Sequence, residues 1–323
     1  MSAGATHDAT AVAEQRDHGA AASVAGRPAT SQFVDLRGMR HHVLTWGEAA
    51  APKLFLVHGW MDVGASFQFL VDALAREWHV IAPDLRGFGR SEWQPQGYWF
   101  HDYIADLEAL VDRFAPGEQV NLGGHSLGGN VVMHYAGVRP ARVRRLVSLD
   151  GFGIPNDHPD AAVRKSVKWL DALSEAQSFK SYDDLAGVAA RLQQTNPRLA
   201  RDKAMFLASY WAEIKPDGRA HLNSDPRHKL PFPTTYRMEE VERIWGAITA
   251  PTLWVAGAHS HILQWLDPAH NAPGGPPNFT GIRARMALVR GARLEVIPDA
   301  GHMIHHDRPD VVARIVEPFL AGD

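Results

Sequence analysis

Short apolar runs punctuate the chain: KLFLVHG (53–59), WHVIAPD (78–84), QVNLGG (119–124), RRLVSLD (144–150), PTLWVAG (251–257) and RLEVIPD (293–299). Such a run has no polar face to turn to water, so it needs cover on both sides, and the stretches between the runs can supply it. FQFLVDALAR (67–76), YIADLEALVDRF (103–114) and VVARIVEPFL (311–320) place apolar residues three and four apart, the spacing of helices with one apolar stripe. Strand and helix in alternation predict an α/β fold with a doubly wound, mostly parallel sheet.

Between Gly153 and about Trp245 the runs stop. Trp169, Leu170, Leu173, Phe179, Tyr182, Leu185, Met205, Phe206, Leu207, Tyr210 and Trp211 recur there at helical spacing, with breaks at Pro197, Pro216, Pro226 and the PFP of 231–233. The pattern predicts a helical cap, 154–245, inserted between two strands of a core formed by 32–153 and 246–323. An aromatic stripe of this kind is more often packing than ligand contact. Residues 1–31, rich in Ala, Gly and small polar side chains, are expected to be a disordered tail, with no apolar block long enough for a secretory signal. LDPAHNAPGGPPNFT (266–280) reads as a long loop, either mobile or functional.

Charge narrows the function. The chain carries 33 Lys and Arg against 36 Asp and Glu, a formal −3, without a basic run that could follow a phosphate backbone, so nucleic acid is not an expected partner. No window approaches the roughly eighteen uninterrupted apolar residues of a membrane-spanning helix, so no membrane span is expected. The absence of cysteine excludes disulfides, thiolate catalysis and Cys-ligated metals, and fits a cytoplasmic location.

GGHSLGGN (123–130) sits between the strand VNL and the helical run VVMHYAGV, the setting of a G-x-S-x-G nucleophile elbow. A Ser at so tight a turn has strained backbone angles, and side chains at Gly124 or Gly128 would collide with the turn. Ser126 is thereby raised at the top of the sheet as a nucleophile; a Gly-rich turn with an incidental Ser is the plainer alternative. The pairs HSH (259–261) and HH (305–306) invite a metal reading, but each supplies only two ligands where a zinc site takes three or four, so no metal is expected.

LVHGW (56–60), APDLRGFGRS (82–91), GGHSLGG (123–129) and AGHMIHHDRP (300–309) resemble, in order and spacing, the signatures of the α/β-hydrolase superfamily, in the branch of haloalkane dehalogenases, epoxide hydrolases and capped esterases. The resemblance spans Phe33 to Phe319. It implies an oxyanion hole from the backbone N–H groups of Trp60 and Leu127, two fixed donors that each lower an acyl-transfer barrier by roughly 3 kcal/mol. It also implies His302 as general base, with His305 and His306 as weaker competitors, and His58 and His125 as supporting residues. In the commonest members the triad acid follows the strand written here as TLWVAG, where this chain has Ser260. Asp150, which ends RRLVSLD after the nucleophile's helix, is the expected acid, as in one subgroup of dehalogenases and in pancreatic lipases; Asp267 is its rival, and capping of the DGFGIP loop its structural alternative. A Ser nucleophile removes the dehalogenation and epoxide chemistry that this branch performs with a carboxylate. The expected function is cofactor-free hydrolysis, through an acyl-enzyme, of a small-molecule ester or lactone that carries an apolar group; a serine C–C bond hydrolase of ring-cleavage products and a ligand receptor on the same fold are the alternatives.

Overall fold

The computed structural model describes residues 26–322. Ten strands, β1 (Thr30–Leu36), β2 (Met39–Trp46), β3 (Lys53–Val57), β4 (His79–Pro83), β5 (Val120–His125), β6 (Val143–Leu149), β7 (Ala212–Ile214), β8 (Ala220–Leu222), β9 (Thr252–Gly257) and β10 (Arg293–Ile297), are set among helices. Eight of them form one sheet in the order β1-β2-β4-β3-β5-β6-β9-β10. β1 and β2 are antiparallel, β2 runs antiparallel to β4, and the remaining pairs are parallel. This is the doubly wound, mostly parallel sheet expected from the apolar runs.

Each central strand divides its side chains between two cores, as a period of two requires. Leu54, Leu56, Val80, Val147, Leu149, Leu253 and Val255 join one cluster, with the helices Gln68–Ala73 and Pro309–Ala321. Phe55, Val57, Ile81, Leu146, Trp254 and Ala256 join the other, against the helices Phe100–Phe114 and Leu127–Val138.

Three features differ from the sequence expectation. Residues 1–25 of the expected tail lie outside the described residues, but the chain is anchored before residue 32. The Arg27 backbone N–H donates to Asp72 Oδ1 at 2.7 Å, its guanidinium donates to the Leu74 carbonyl at 2.7 Å, and Thr30 opens β1. Next, the insertion is not wholly helical. It holds the helices Ala161–Leu173, Leu185–Thr195 and Arg201–Trp211, but also the β7–β8 hairpin, whose turn passes through Gly218 at φ 77°. Pro216 and Asp217 therefore belong to a hairpin turn and not to a helix break. Finally, the helix Met238–Gly246 leaves the cap and packs on Leu127–Val138, with Trp245 buried against Trp254, because its apolar face has the sheet to cover. Gly137 makes this possible, since a Cβ there would meet the Ile244 carbonyl at 2.2 Å.

The cap's first helix is unusual in the other direction. Val163, Val167, Leu170 and Leu173 all face outward, so the helical spacing that marked this stretch in the sequence describes a surface stripe and not a buried face.

Candidate active site

Ser126 stands between β5 and the helix Leu127–Val138 with φ 52° and ψ −112°, outside the regions an L-residue ordinarily adopts. Two neighbours hold the turn in this shape: the Ser126 N–H donates to the Leu149 carbonyl at 3.0 Å, and its own carbonyl accepts from Asn130 N–H at 3.1 Å. The flanking glycines leave no room for anything larger. A Cβ at Gly124 would sit 2.2 Å from the Gly128 carbonyl oxygen, and one at Gly128 would sit 2.0 Å from that of Val57. Gly128→Ala is therefore expected to cost about 2–3 kcal/mol or more of stability, because backbone must move to admit it, and chemical denaturation would measure the loss.

Asp150 stands one residue beyond β6, also at positive φ (52°), and is fully buried. Its backbone N–H donates to the Val255 carbonyl at 2.8 Å, which ties the end of β6 to the adjacent β9. Three donors converge on its carboxylate. Gly257 N–H reaches Oδ1 at 3.1 Å, His302 Nδ1 lies 2.6 Å from Oδ2, and the Ser260 hydroxyl donates to the same Oδ2. His302 can come this close because Gly257 has no side chain: a Cβ there would meet the Gly301 carbonyl at 2.1 Å. With Nδ1–H held by a buried carboxylate, the imidazole presents Nε2 as its free base.

The structure thus brings Asp150 and His302 together and leaves Asp267 elsewhere. Asp267 follows the short helix His261–Leu266 and bonds His270 Nδ1 at 2.8 Å. Ser260 caps that helix, accepting from Ile262 N–H at 3.2 Å, while its proton goes to Asp150. The sequence marks Ser260 only as the place where the commonest members carry the acid, and this role was missed; a Ser at a helix start is a common cap and carries no mark of a distant partner.

Ser126 and His302 are linked through backbone. Among the described residues no hydrogen bond joins Ser126 Oγ to the His302 ring, a contact that tightens in hydrolases when substrate arrives. Instead His125, the residue before Ser126, donates from Nε2 to the His302 carbonyl at 2.9 Å. The β3 loop closes the other side: a Cβ on Gly59, the residue before Trp60, would lie 3.2 Å from Ser126 Cβ. Leu127 is the first residue of its helix, so its N–H has no partner within the helix. Trp60 is 55% exposed.

The remaining histidines take supporting places. His58 donates from Nδ1 to the Gly59 carbonyl at 2.7 Å and accepts from Leu85 N–H at 2.8 Å, bracing two loops, and burial lowers its pKa to about 4. His228, from the cap, is stacked between Phe88 and Tyr98 at 3.7 Å from each ring, and burial lowers it to about 4 as well. His305 and His306 begin the helix Ile304–Asp307, turn into the core and contact Ser66, so neither competes with His302 for Asp150. A cavity of about 530 Å³ lies between the loop that follows β4 and the cap hairpin, lined by Arg90, Trp93, Phe179, Lys180, Glu213 and His221 among others; its lining includes none of Ser126, Asp150 and His302. No helix among the described residues is long and apolar enough to cross a membrane.

Comparison with known proteins agrees with this geometry. A family profile described as the alpha/beta hydrolase fold matches residues 52–309. Epoxide hydrolase A of Mycobacterium tuberculosis is 34% identical over 91% of this chain and 98% of its own length. The 3-hydroxybutyrate-oligomer hydrolase of Cupriavidus necator is 30% identical over 71% of this chain and 79% of its own. Among solved structures, a thioesterase domain from the curacin biosynthetic pathway superposes with a TM-score of 0.77 at 22% identity, covering 90% of this chain and 99% of that domain.

Proposed function

Because the chain belongs to the α/β-hydrolase family, we propose that it is a cofactor-free serine hydrolase that cleaves carboxylic esters or lactones through an acyl-enzyme. The observation that carries this reading is the pairing of a Ser, and not a carboxylate, at the strained elbow with an imidazole already oriented by a buried acid at 2.6 Å. Ser126 Oγ attacks the substrate carbonyl as His302 Nε2 takes its proton. Asp150 stabilises the imidazolium that results. Negative charge on the carbonyl oxygen is received by the N–H groups of Trp60 and Leu127. Collapse expels the alcohol, which takes the proton from His302; a water then repeats the cycle on the acyl-Ser126 and releases the acid.

Epoxide hydrolase A is a relative of this chain, yet epoxide opening in this branch uses a carboxylate at the position Ser126 holds, so the similarity supports fold and hydrolysis and not that substrate. A relative named for hydrolysing 3-hydroxybutyrate oligomers, which are esters, supports the substrate class.

The test combines labelling with turnover. A fluorophosphonate should modify the protein once, at Ser126, by peptide mass spectrometry, and short p-nitrophenyl esters should turn over at about one per second or faster. Labelling without turnover above background would mark a receptor on this fold; absence of both would overturn the serine mechanism.

A further inference from the structure

Behind the nucleophile lies a second polar cluster that the proposed mechanism does not use. Asp62 follows β3, Ser66 lies in the short turn Gly64–Phe67, His125 ends β5, and His305 and His306 begin the helix Ile304–Asp307. All five are buried, with His125 1% and His305 0% exposed. Their hydrogen bonds assign the protons. His125 donates from Nε2 to the His302 carbonyl at 2.9 Å, which leaves a lone pair on its Nδ1. Ser66 has one proton and gives it to Asp62 Oδ2 at 2.8 Å, so it accepts from Nε2 of His305 at 3.1 Å and of His306 at 2.6 Å. His305 therefore also keeps a lone pair on Nδ1. Both Nδ1 atoms are buried without a hydrogen-bond partner. One ligand atom from each of Asp62, His125 and His305 lies within 4.8 Å of the others.

Two orphaned acceptors beside a carboxylate are costly in a protein interior, and a positive centre relieves them.

We propose that Asp62, His125 and His305 bind a divalent transition-metal ion, of which Zn²⁺ is the best fit to two imidazoles and a carboxylate, and that the bound ion inhibits the enzyme reversibly. A tetrahedral zinc holds its ligands roughly 3.4 Å apart, so the three atoms close in by about an ångström as it binds. The inhibition follows from connectivity. His125 precedes Ser126 and holds the His302 carbonyl through its other nitrogen, so a ring drawn toward the ion displaces nucleophile and base together.

The experiment titrates ZnCl₂ against ester hydrolysis by the full chain, with EDTA reversal. Wild type should lose activity and recover it. Asp62→Asn and His305→Gln should each raise the half-inhibiting zinc concentration by at least about tenfold. A His259→Gln/His261→Gln double variant, which removes the exposed pair beside the triad, should leave the zinc response unchanged. Unchanged inhibition in both Asp62→Asn and His305→Gln, or its loss in the double variant, overturns the site. Binding is read separately from activity by anomalous diffraction at the zinc edge from wild-type crystals, which needs neither folded variants nor the hydrolase reading. A peak among Asp62, His125 and His305 supports the proposal; a peak only elsewhere, or none in zinc-soaked crystals, overturns it.

Discussion

Ser126→Ala is expected to lower kcat by about a thousandfold or more while the thermal midpoint moves by no more than about 2 °C. The asymmetry follows from the elbow. The turn is held by backbone, through Leu149, Asn130 and the glycines at 124 and 128, and none of these contacts involves the hydroxyl. Removing Oγ takes away the atom that the proposed mechanism acylates and leaves the strained φ of 52° in place. Steady-state kinetics beside a calorimetric scan would check both halves. Residual kcat above about a hundredth of wild type would point to another nucleophile.

Asp150→Asn is expected to lower kcat by at least about a hundredfold. The carboxylate accepts from Gly257 N–H, the Ser260 hydroxyl and His302 Nδ1. An amide keeps one acceptor oxygen and puts a donor NH₂ in place of the other. In the place of Oδ1 it would oppose the fixed Gly257 N–H, and in the place of Oδ2 it would oppose both the Ser260 hydroxyl and His302 Nδ1–H, which can rotate away, so the loss falls on the orientation of the His302 ring. Ser260→Ala removes one donor from an acid that keeps two, and should cost about tenfold at most. Asp267→Asn, remote from His302, should change kcat by less than about fivefold. If Asp267→Asn proved the crippling change, the acid would have to be moved to the later loop.

What the sequence disclosed depended on how local each determinant was. The central strands were legible because each is an unbroken apolar run, and Ser126 because strand, glycines and helix all lie within a few residues of it. β1 and β2 escaped notice because β2 carries His41 and His42 inward, and these are tolerated only through Asp106 and Asp84, partners visible once the chain has folded. The cap's composition revealed an insertion but not its layering, since aromatic spacing does not distinguish a helix laid on the sheet, as at Trp245, from one that turns Leu170 outward. Asp150 was readable as a strand end and Asp267 as a rival; that Asp150, and not Asp267, lies against His302 is visible only in the folded chain. The Asp62 cluster showed in the sequence only as the HH pair at 305–306, because its other members lie far along the chain: Ser66 and His306 meet across 240 residues.

The shared hydrogen bond between Ser260 and Asp150 bears on how such a protein can be rewired. β6 and β9 are parallel neighbours, with Leu149 paired to Val255, so the loops past their ends bring Ser260 against Asp150, the residue that holds His302. Moving the acid from one strand end to the other without a stage that has no acid requires both slots to be filled at once. Two buried carboxylates at this distance cannot both ionise, and one must hold a proton that it donates to the other. The hydroxyl of Ser260 makes that same donation with no charge of its own. A Ser260→Asp substitution would therefore recreate the intermediate of such a relocation, after which either carboxyl could be given up.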